Sequence, residues 1–123
     1  MTNNLRLTNT MTGEKEEFKP QGSPVRMYVC GVTPYDKCHL GHGMSYVFFD
    51  VVRRYLEFKG YKVKCVQNFT DIDDKIIARA AQTGTSTREL ADKYIADYFT
   101  SMDGLNVRRA DVYPRATQEI PQI

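Results

Sequence analysis

Residues 28–56, YVCGVTPYDKCHLGHGMSYVFFDVVRRYL, pass from one backbone period to another, and the place of that change decides the fold. VRMYV, residues 25–29, is apolar and β-branched as a strand is, and Gly31 with Pro34 ends it. From Gly41 onward, Met44, Val47, Phe48, Val51, Val52, Tyr55 and Leu56 recur at steps of three and four. That period predicts a helix of about five turns with those residues on its buried face. Arg53, Arg54, Glu57 and Lys59 fall largely on the other face, and Gly60 supplies the C-terminal stop. KVKCVQNF, residues 62–69, then alternates as a second strand. A strand, a helix and a strand predict a βαβ unit whose strands are parallel and joined by a right-handed crossover. Ligands of such sheets sit outside the carboxyl ends of the strands. Cys30-Gly31 and Asn68-Phe69-Thr70 are therefore expected to border one pocket.

The flanking sequence adds smaller elements. LRLTNTMTGEKEEFKP, residues 5–20, alternates about Leu5 and Leu7 and meets a Thr12-Gly13 turn signal, which predicts a small amino-terminal hairpin. DIDDKIIARAAQTG, residues 71–84, reads as a short helix stopped by Gly84. STRELADKYIADYFTSMDG, residues 86–104, opens with Ser86 and Glu89 at capping-box spacing and predicts a helix burying Leu90, Tyr94, Ile95, Tyr98, Phe99 and Met102. RRADVYPRATQEIPQI, residues 108–123, carries two prolines and no closing element. Two parallel strands do not complete a doubly wound sheet, so the sequence reads as a piece of a longer protein. The expected division is a half-domain over 1–110 and the start of a connective region over 111–123.

Composition narrows the classes. The chain has 123 residues, 41% hydrophobic and 26% charged, as an ordinary soluble globular domain does. Its formal net charge of +2 permits a polyanionic partner without implying one. No apolar run is long enough to span a bilayer, and MTNNLRLTNTMTGEKEEF lacks the apolar centre of a signal peptide, so the expected address is the cytoplasm, with no membrane partner. Cys30, Cys38 and Cys65 have no disulfide-framework spacing and read as reduced thiols.

The residues at the strand-to-helix join carry the chemistry. HLGH, residues 39–42, would set its backbone amides and the positive end of the helix dipole toward the pocket, as phosphate sites do. Gly41 would let a phosphate or a flat ring approach the backbone. Two imidazoles there could donate hydrogen bonds to an α-phosphate as it gains charge in an in-line displacement. The plain alternative is a pair of capping or packing histidines. A cysteine that ends a strand, as Cys30 does, is most often core. A local zinc site of Cys30, Cys38, His39 and His42 is a rival, although the spacing matches no standard knuckle. TDIDD, residues 70–74, could be a carboxylate cluster for a metal, but Thr70 or Asp71 as an N-cap with Asp73 and Asp74 in the first turn explains it better. Arg53, Arg54, Lys59, Lys62 and Lys64 read as a solvated face rather than a nucleic-acid footprint.

YVCGVTPYDKCHLGH, FDVVRRYLEFKGY and NFTDIDDKII, with PRATQEIP after them, resemble in order the amino-terminal half of the catalytic domain of cysteinyl-tRNA synthetases, which are class I aminoacyl-tRNA synthetases. The resemblance covers essentially the whole chain. It implies an α/β fold, the first half of a Rossmann-type parallel sheet. It implies a cysteine-tRNA ligase that activates L-cysteine with ATP and Mg to cysteinyl-adenylate, releases pyrophosphate and passes the cysteinyl group to tRNA(Cys). The family's HIGH motif falls on His39, Leu40, Gly41 and His42, with leucine where isoleucine is commoner; both histidines are then catalytic and all four residues bind ATP. Cys30 falls on a ligand of the one zinc ion of the full-length chain, and Gly31 and Thr70 on residues lining the cysteine pocket. The family's other zinc ligands, its KMSKS loop and its anticodon-binding domain lie beyond Ile123, so the chain alone is expected to be inactive. Pro34 stands where a branched apolar residue is commoner and Met44 where arginine is usual. Two other readings stay open: a related tRNA-independent cysteine ligase, and a truncated non-catalytic module that binds nucleotide or metal.

Overall fold

The computed structural model describes residues 5–122. Met1 to Asn4 of the expected 1–110 unit and Ile123 at the end of 111–123 lie outside the described residues. Strands β1 (Arg6–Thr8) and β2 (Lys15–Glu17) form the amino-terminal hairpin, antiparallel, with Leu7 opposite Glu16. Its turn uses Gly13 at φ +72°, a left-handed conformation that glycine adopts without strain. Strand β3 (Val25–Val29), helix α1 (Leu40–Phe58) and strand β4 (Val63–Gln67) then make the βαβ unit, with β3 and β4 parallel from Val25 opposite Val63 to Val29 opposite Gln67.

Residues 111–116 run along the other edge of β4. Asp111 and Ala116 donate their amides to the carbonyls of Cys65 and Phe69, and the amides of Gln67 and Phe69 donate to Val112 and Pro114 at 3.0 and 2.9 Å. The parallel bridges Val66 to Val112 and Phe69 to Arg115 complete this third track, so the proline-containing stretch that reads as irregular extends the sheet.

Helices α2 (Asp74–Thr83) and α3 (Thr87–Gly104) follow, and α3 has the expected capping box: the Glu89 amide donates to Ser86 Oγ and the Ser86 amide to Glu89 Oε2. Leu90, Tyr94, Ile95, Tyr98 and Met102 of α3 are buried as its spacing predicts. A short helix α4 (Ala116–Glu119) and a 3-10 turn (Ile120–Gln122) end the described chain. The core gathers Val29, Val32, Tyr46, Cys65, Phe69, Ile95, Tyr98 and Met102 between sheet, α1 and α3. Phe69 is its centre, stacked on Tyr113 and edge-on to Tyr98 and Phe99, an arrangement that favours aromatic quadrupoles as well as burial.

Two expectations change. Helix α1 buries little of its apolar stripe: Met44, Phe48 and Val51 are 66%, 62% and 58% exposed, and Leu56 is its one buried member. Gly43, Tyr46 and Leu56 are the buried residues, and Asp50, Arg53, Arg54 and Glu57 between them bind the loop before residue 111. Arg53 donates to the Arg109 carbonyl and to both oxygens of Asp111, Arg54 to the Asn106 carbonyl, and Arg108 pairs with Glu57. Ion pairing to a backbone loop therefore outweighs periodicity in choosing which side docks, and Arg53 and Arg54 are not a solvated face. The second change concerns the start of α2. Its N-cap is Asp73, whose side chain accepts from the Lys75 amide. The Thr70 amide instead donates to the Val32 carbonyl, which keeps the chain extended past β4, and Asp71 is buried with its carboxylate on the amide and hydroxyl of Thr117.

Candidate active site at the strand ends

The carboxyl ends of β3 and β4 bring Cys30-Gly31 and Asn68-Thr70 together, as the βαβ topology requires. Gly31 presses on the facing chain. A Cβ built there would run into the Asn68 carbonyl oxygen and stand 2.6 Å from its carbon, so no larger residue fits without separating the strand ends. The Gly31 amide donates to Asn68 Oδ1 at 2.7 Å, and Asn68 Nδ2 donates to Thr70 Oγ1 at 3.3 Å. Cys30 is exposed at the end of β3, with its carbonyl held by the Tyr46 hydroxyl from α1 at 3.2 Å. Burial pushes the Tyr46 hydroxyl well above the usual phenol range, so it acts here as a donor.

HLGH caps α1 in a way that sequence reasoning leaves open. His39 is the N-cap, and its Nδ1 accepts from the Gly41 amide at 3.1 Å. His42 Nδ1 accepts from the His39 amide at 3.3 Å, and the two rings stack with centroids 3.8 Å apart. The amides of His42 and Gly43 both donate to the His39 carbonyl. The amides of His39, Gly41 and His42 are thus consumed within the turn. Because each Nδ1 accepts, each neutral imidazole carries its proton on Nε2. Two Nε2–H donors are thereby left at this helix start. Desolvation first, and the neighbouring His39 second, hold the His42 pKa below the ordinary imidazole value, which favours that neutral form. A Cβ on Gly41 would come 3.0 Å from the His39 ring, which would have to shift by a few tenths of an ångström to admit it. The Leu40 side chain is exposed.

Capping, which reads in the sequence as the alternative to phosphate binding, uses the Nδ1 atom of each ring and leaves Nε2 uncommitted, so the one does not preclude the other. Among the described residues no three His, Cys, Asp or Glu side chains are grouped to hold a metal, which removes the local Cys30, Cys38, His39, His42 site and the metal reading of TDIDD. Cys65 is buried and Cys38 half-buried against the core, and desolvation raises both thiol pKa values. Sequence reasoning placed Asn68 at the pocket border without giving its carboxamide a role, and it missed Tyr46, which lies off the apolar stripe and gave no signal.

The chain matches the model of the family described as tRNA synthetases class I (C) catalytic domain over residues 17–123. It is 61% identical to a protein of Gloeobacter violaceus and 57% identical to one of Pyrococcus horikoshii, both named Cysteine--tRNA ligase, over 97% of this chain and 25% of each relative. The chain thus spans a quarter of the length of these relatives. Its fold is similar to part of the Mycobacterium tuberculosis methionyl-tRNA synthetase solved in complex with methionyl-adenylate, with a TM-score of 0.67 and 24% identity over 75% of this chain and 18% of that one. A second structure of the Mycobacterium tuberculosis enzyme, bound by methionyl-adenylate, gives a TM-score of 0.67 at 25% identity over 80% of this chain and 19% of that one.

Proposed function

Because this chain belongs to the family of class I (C) tRNA synthetase catalytic domains, we propose that it supplies the nucleotide-binding first part of a cysteine-tRNA ligase. The observation that carries the reading is the stacked, doubly capped pair His39 and His42, which leaves two Nε2–H donors at a helix start beside the strand ends. ATP lies along His39, Leu40, Gly41 and His42, Mg would supply countercharge to it, and L-cysteine lies against Gly31 and Thr70. An oxygen of the cysteine carboxylate forms a bond to the α-phosphorus as the bond from that phosphorus to the bridging oxygen breaks, and pyrophosphate leaves. Negative charge grows on the α-phosphate oxygens in that displacement, and preorganised neutral donors stabilise it more than they stabilise bound ATP. A ribose hydroxyl of tRNA(Cys) then forms an ester bond to the cysteinyl carbonyl carbon and gives up its proton, as the bond from that carbon to the phosphate oxygen breaks and AMP leaves. The address we assign is the cytoplasm, and the stretch 111–123 leads from this unit into a connective region.

Zinc fits this chain as one ligand's worth of a site. Cys30 is an exposed thiol at the strand end, and the described residues group no further donors with it. Cys30 would hold the ion together with ligands from outside this chain, and zinc would favour a substrate thiolate over the hydroxyl of serine. The chain's own part is to fix the Cys30 backbone through Tyr46.

The test joins this chain to the remaining three-quarters of the Gloeobacter violaceus relative and follows cysteine-dependent ATP–pyrophosphate exchange. His39→Ala and His42→Ala should each lower the exchange rate by about 100-fold or more while changing the KM for ATP little, the size of losing one transition-state donor. Unchanged rates would return both histidines to capping alone.

A further inference from the structure

We propose that Asn68 is the positioning residue for the amino acid substrate, an inference that rests on the function proposed above. Its carboxamide ties together two residues at the ends of different strands and sets the direction of one hydroxyl proton. The backbone amide of Gly31 can only donate, so the carboxamide oxygen faces it at 2.7 Å and the orientation of the group is fixed. Nδ2 then faces Thr70 Oγ1 at 3.3 Å. The Thr70 oxygen must accept this bond, and its own hydrogen is left to point elsewhere. A carboxylate or other anionic oxygen outside the strand ends is the partner that such a hydrogen suits.

The clamp does not duplicate the sheet. The paired register of β3 and β4 ends at Val29 opposite Gln67, and backbone bonding between the two strand extensions resumes with the Thr70 amide on the Val32 carbonyl. Between those points a side chain takes the Gly31 amide. The close approach of Gly31 to the Asn68 carbonyl fixes the gap in a second direction. One residue thus sets both the spacing of Gly31 from Thr70 and the polarity of the Thr70 hydroxyl.

Asn68→Asp separates these effects. A carboxylate keeps an acceptor for Gly31 and offers Thr70 no donor, so the Thr70 hydrogen turns inward to it. In cysteine-dependent exchange by the fusion described above, Asn68→Asp should raise the KM for cysteine by about tenfold, one neutral hydrogen bond's worth, with the KM for ATP and the melting temperature little changed. The double variant Asn68→Asp, Thr70→Val should be no worse for cysteine than Thr70→Val alone, because both remove the same donated proton. Equal losses toward cysteine and ATP, or additive losses in the double variant, would overturn the assignment. If Asn68→Asp does not fold, Asn68→Ser, too short to reach both partners, should raise the KM for cysteine with the KM for ATP little changed, and equal losses toward the two substrates would again overturn the assignment. A parent fusion that shows no cysteine-dependent exchange would overturn the functional reading itself, a failure distinct from any result at position 68.

Discussion

The imidazoles of His39 and His42 stack at 3.8 Å with their planes inclined by 19°, and each offers its Nδ1 to a backbone amide of the same turn. A proton added to either Nδ1 would remove a cap and set a charge beside a second ring. This explains in one geometry why burial and the neighbouring ring lower the His42 pKa from its ordinary 6.5. A lowered pKa means that the unfolded chain binds more protons, so stability is complete above about pH 6.5 and declines as pH falls from there through the folded value.

The melting temperature of the chain should therefore fall between pH 7.5 and pH 5.5. The loss of a cap is worth about 1 kcal/mol, or about 4 °C for a domain of this size. His42→Gln keeps an acceptor at the capping-box position and cannot titrate, so its melting temperature should change less over the same range. Thermal unfolding followed by circular dichroism at the two pH values checks this; parallel pH dependence in the two proteins would remove His42 as the source.

Arg53 and Asp111 give a second prediction. The Arg53 side chain is only 11% exposed and meets Glu57, Asp111 and the Arg109 carbonyl, while Asp111 also accepts from the Cys65 amide at 2.6 Å. Asp111→Ala leaves a largely buried guanidinium short of a partner and an amide of β4 without its acceptor. Because Asp111 itself is partly exposed, we expect about 2 kcal/mol rather than the full cost of breaking a buried pair. Adding Arg53→Met to that variant should recover part of the loss, since it removes the stranded charge. Urea unfolding of the single and double variants measures both, and a double variant less stable than Asp111→Ala would contradict the argument.

The sequence showed the βαβ unit plainly because two different periods, two and three-to-four, meet within residues 25–69, and each period has one physical cause. It pointed to the candidate site for the same reason: topology alone brings Gly31 and Thr70 to one edge. What it could not show was which side of α1 docks, since an apolar stripe signals a face to be covered and says nothing of a competing row of charges that can bind backbone carbonyls. Nor could it show that residues 111–116 extend the sheet, because that stretch is held by its backbone against β4 and its prolines mask the strand pattern. HLGH was legible as a motif, but the division of labour between Nδ1 and Nε2 needed coordinates.

Gly31→Ala tests the tightness of the strand ends. The added methyl would meet the Asn68 carbonyl, a backbone group that cannot turn away as a flexible side chain would. Overpacking of this kind costs about 1–3 kcal/mol, and the loss of the Gly31 to Asn68 hydrogen bond adds to it. Gly41→Ala meets only the His39 ring, which can shift, and should destabilise less. Comparing the two by urea unfolding checks the order, which should be Gly31→Ala well below Gly41→Ala.

The three thiols should differ sharply in reactivity, and Cys30 should report whether a metal site is present. The thiolate is the reactive form, and burial raises the pKa of Cys38 and Cys65, with Asp97 adding to the effect at Cys38. Cys30 is exposed at the end of β3. Brief treatment of the folded chain with iodoacetamide at pH 7.5, read by peptide mass spectrometry, should therefore modify Cys30 first and leave Cys65 until the chain unfolds. Equimolar zinc should not slow the modification in the chain alone, because a single thiolate does not make a tetrahedral site and no other described donors stand grouped with it. In the fusion to the remaining three-quarters of the Gloeobacter violaceus relative, zinc should protect Cys30 and Cys30→Ser should lower the bound metal measured by elemental analysis. Protection of Cys30 by zinc in the chain alone would mean that a local site exists after all; absence of protection in the fusion would take Cys30 out of the metal site and return it to the pocket wall.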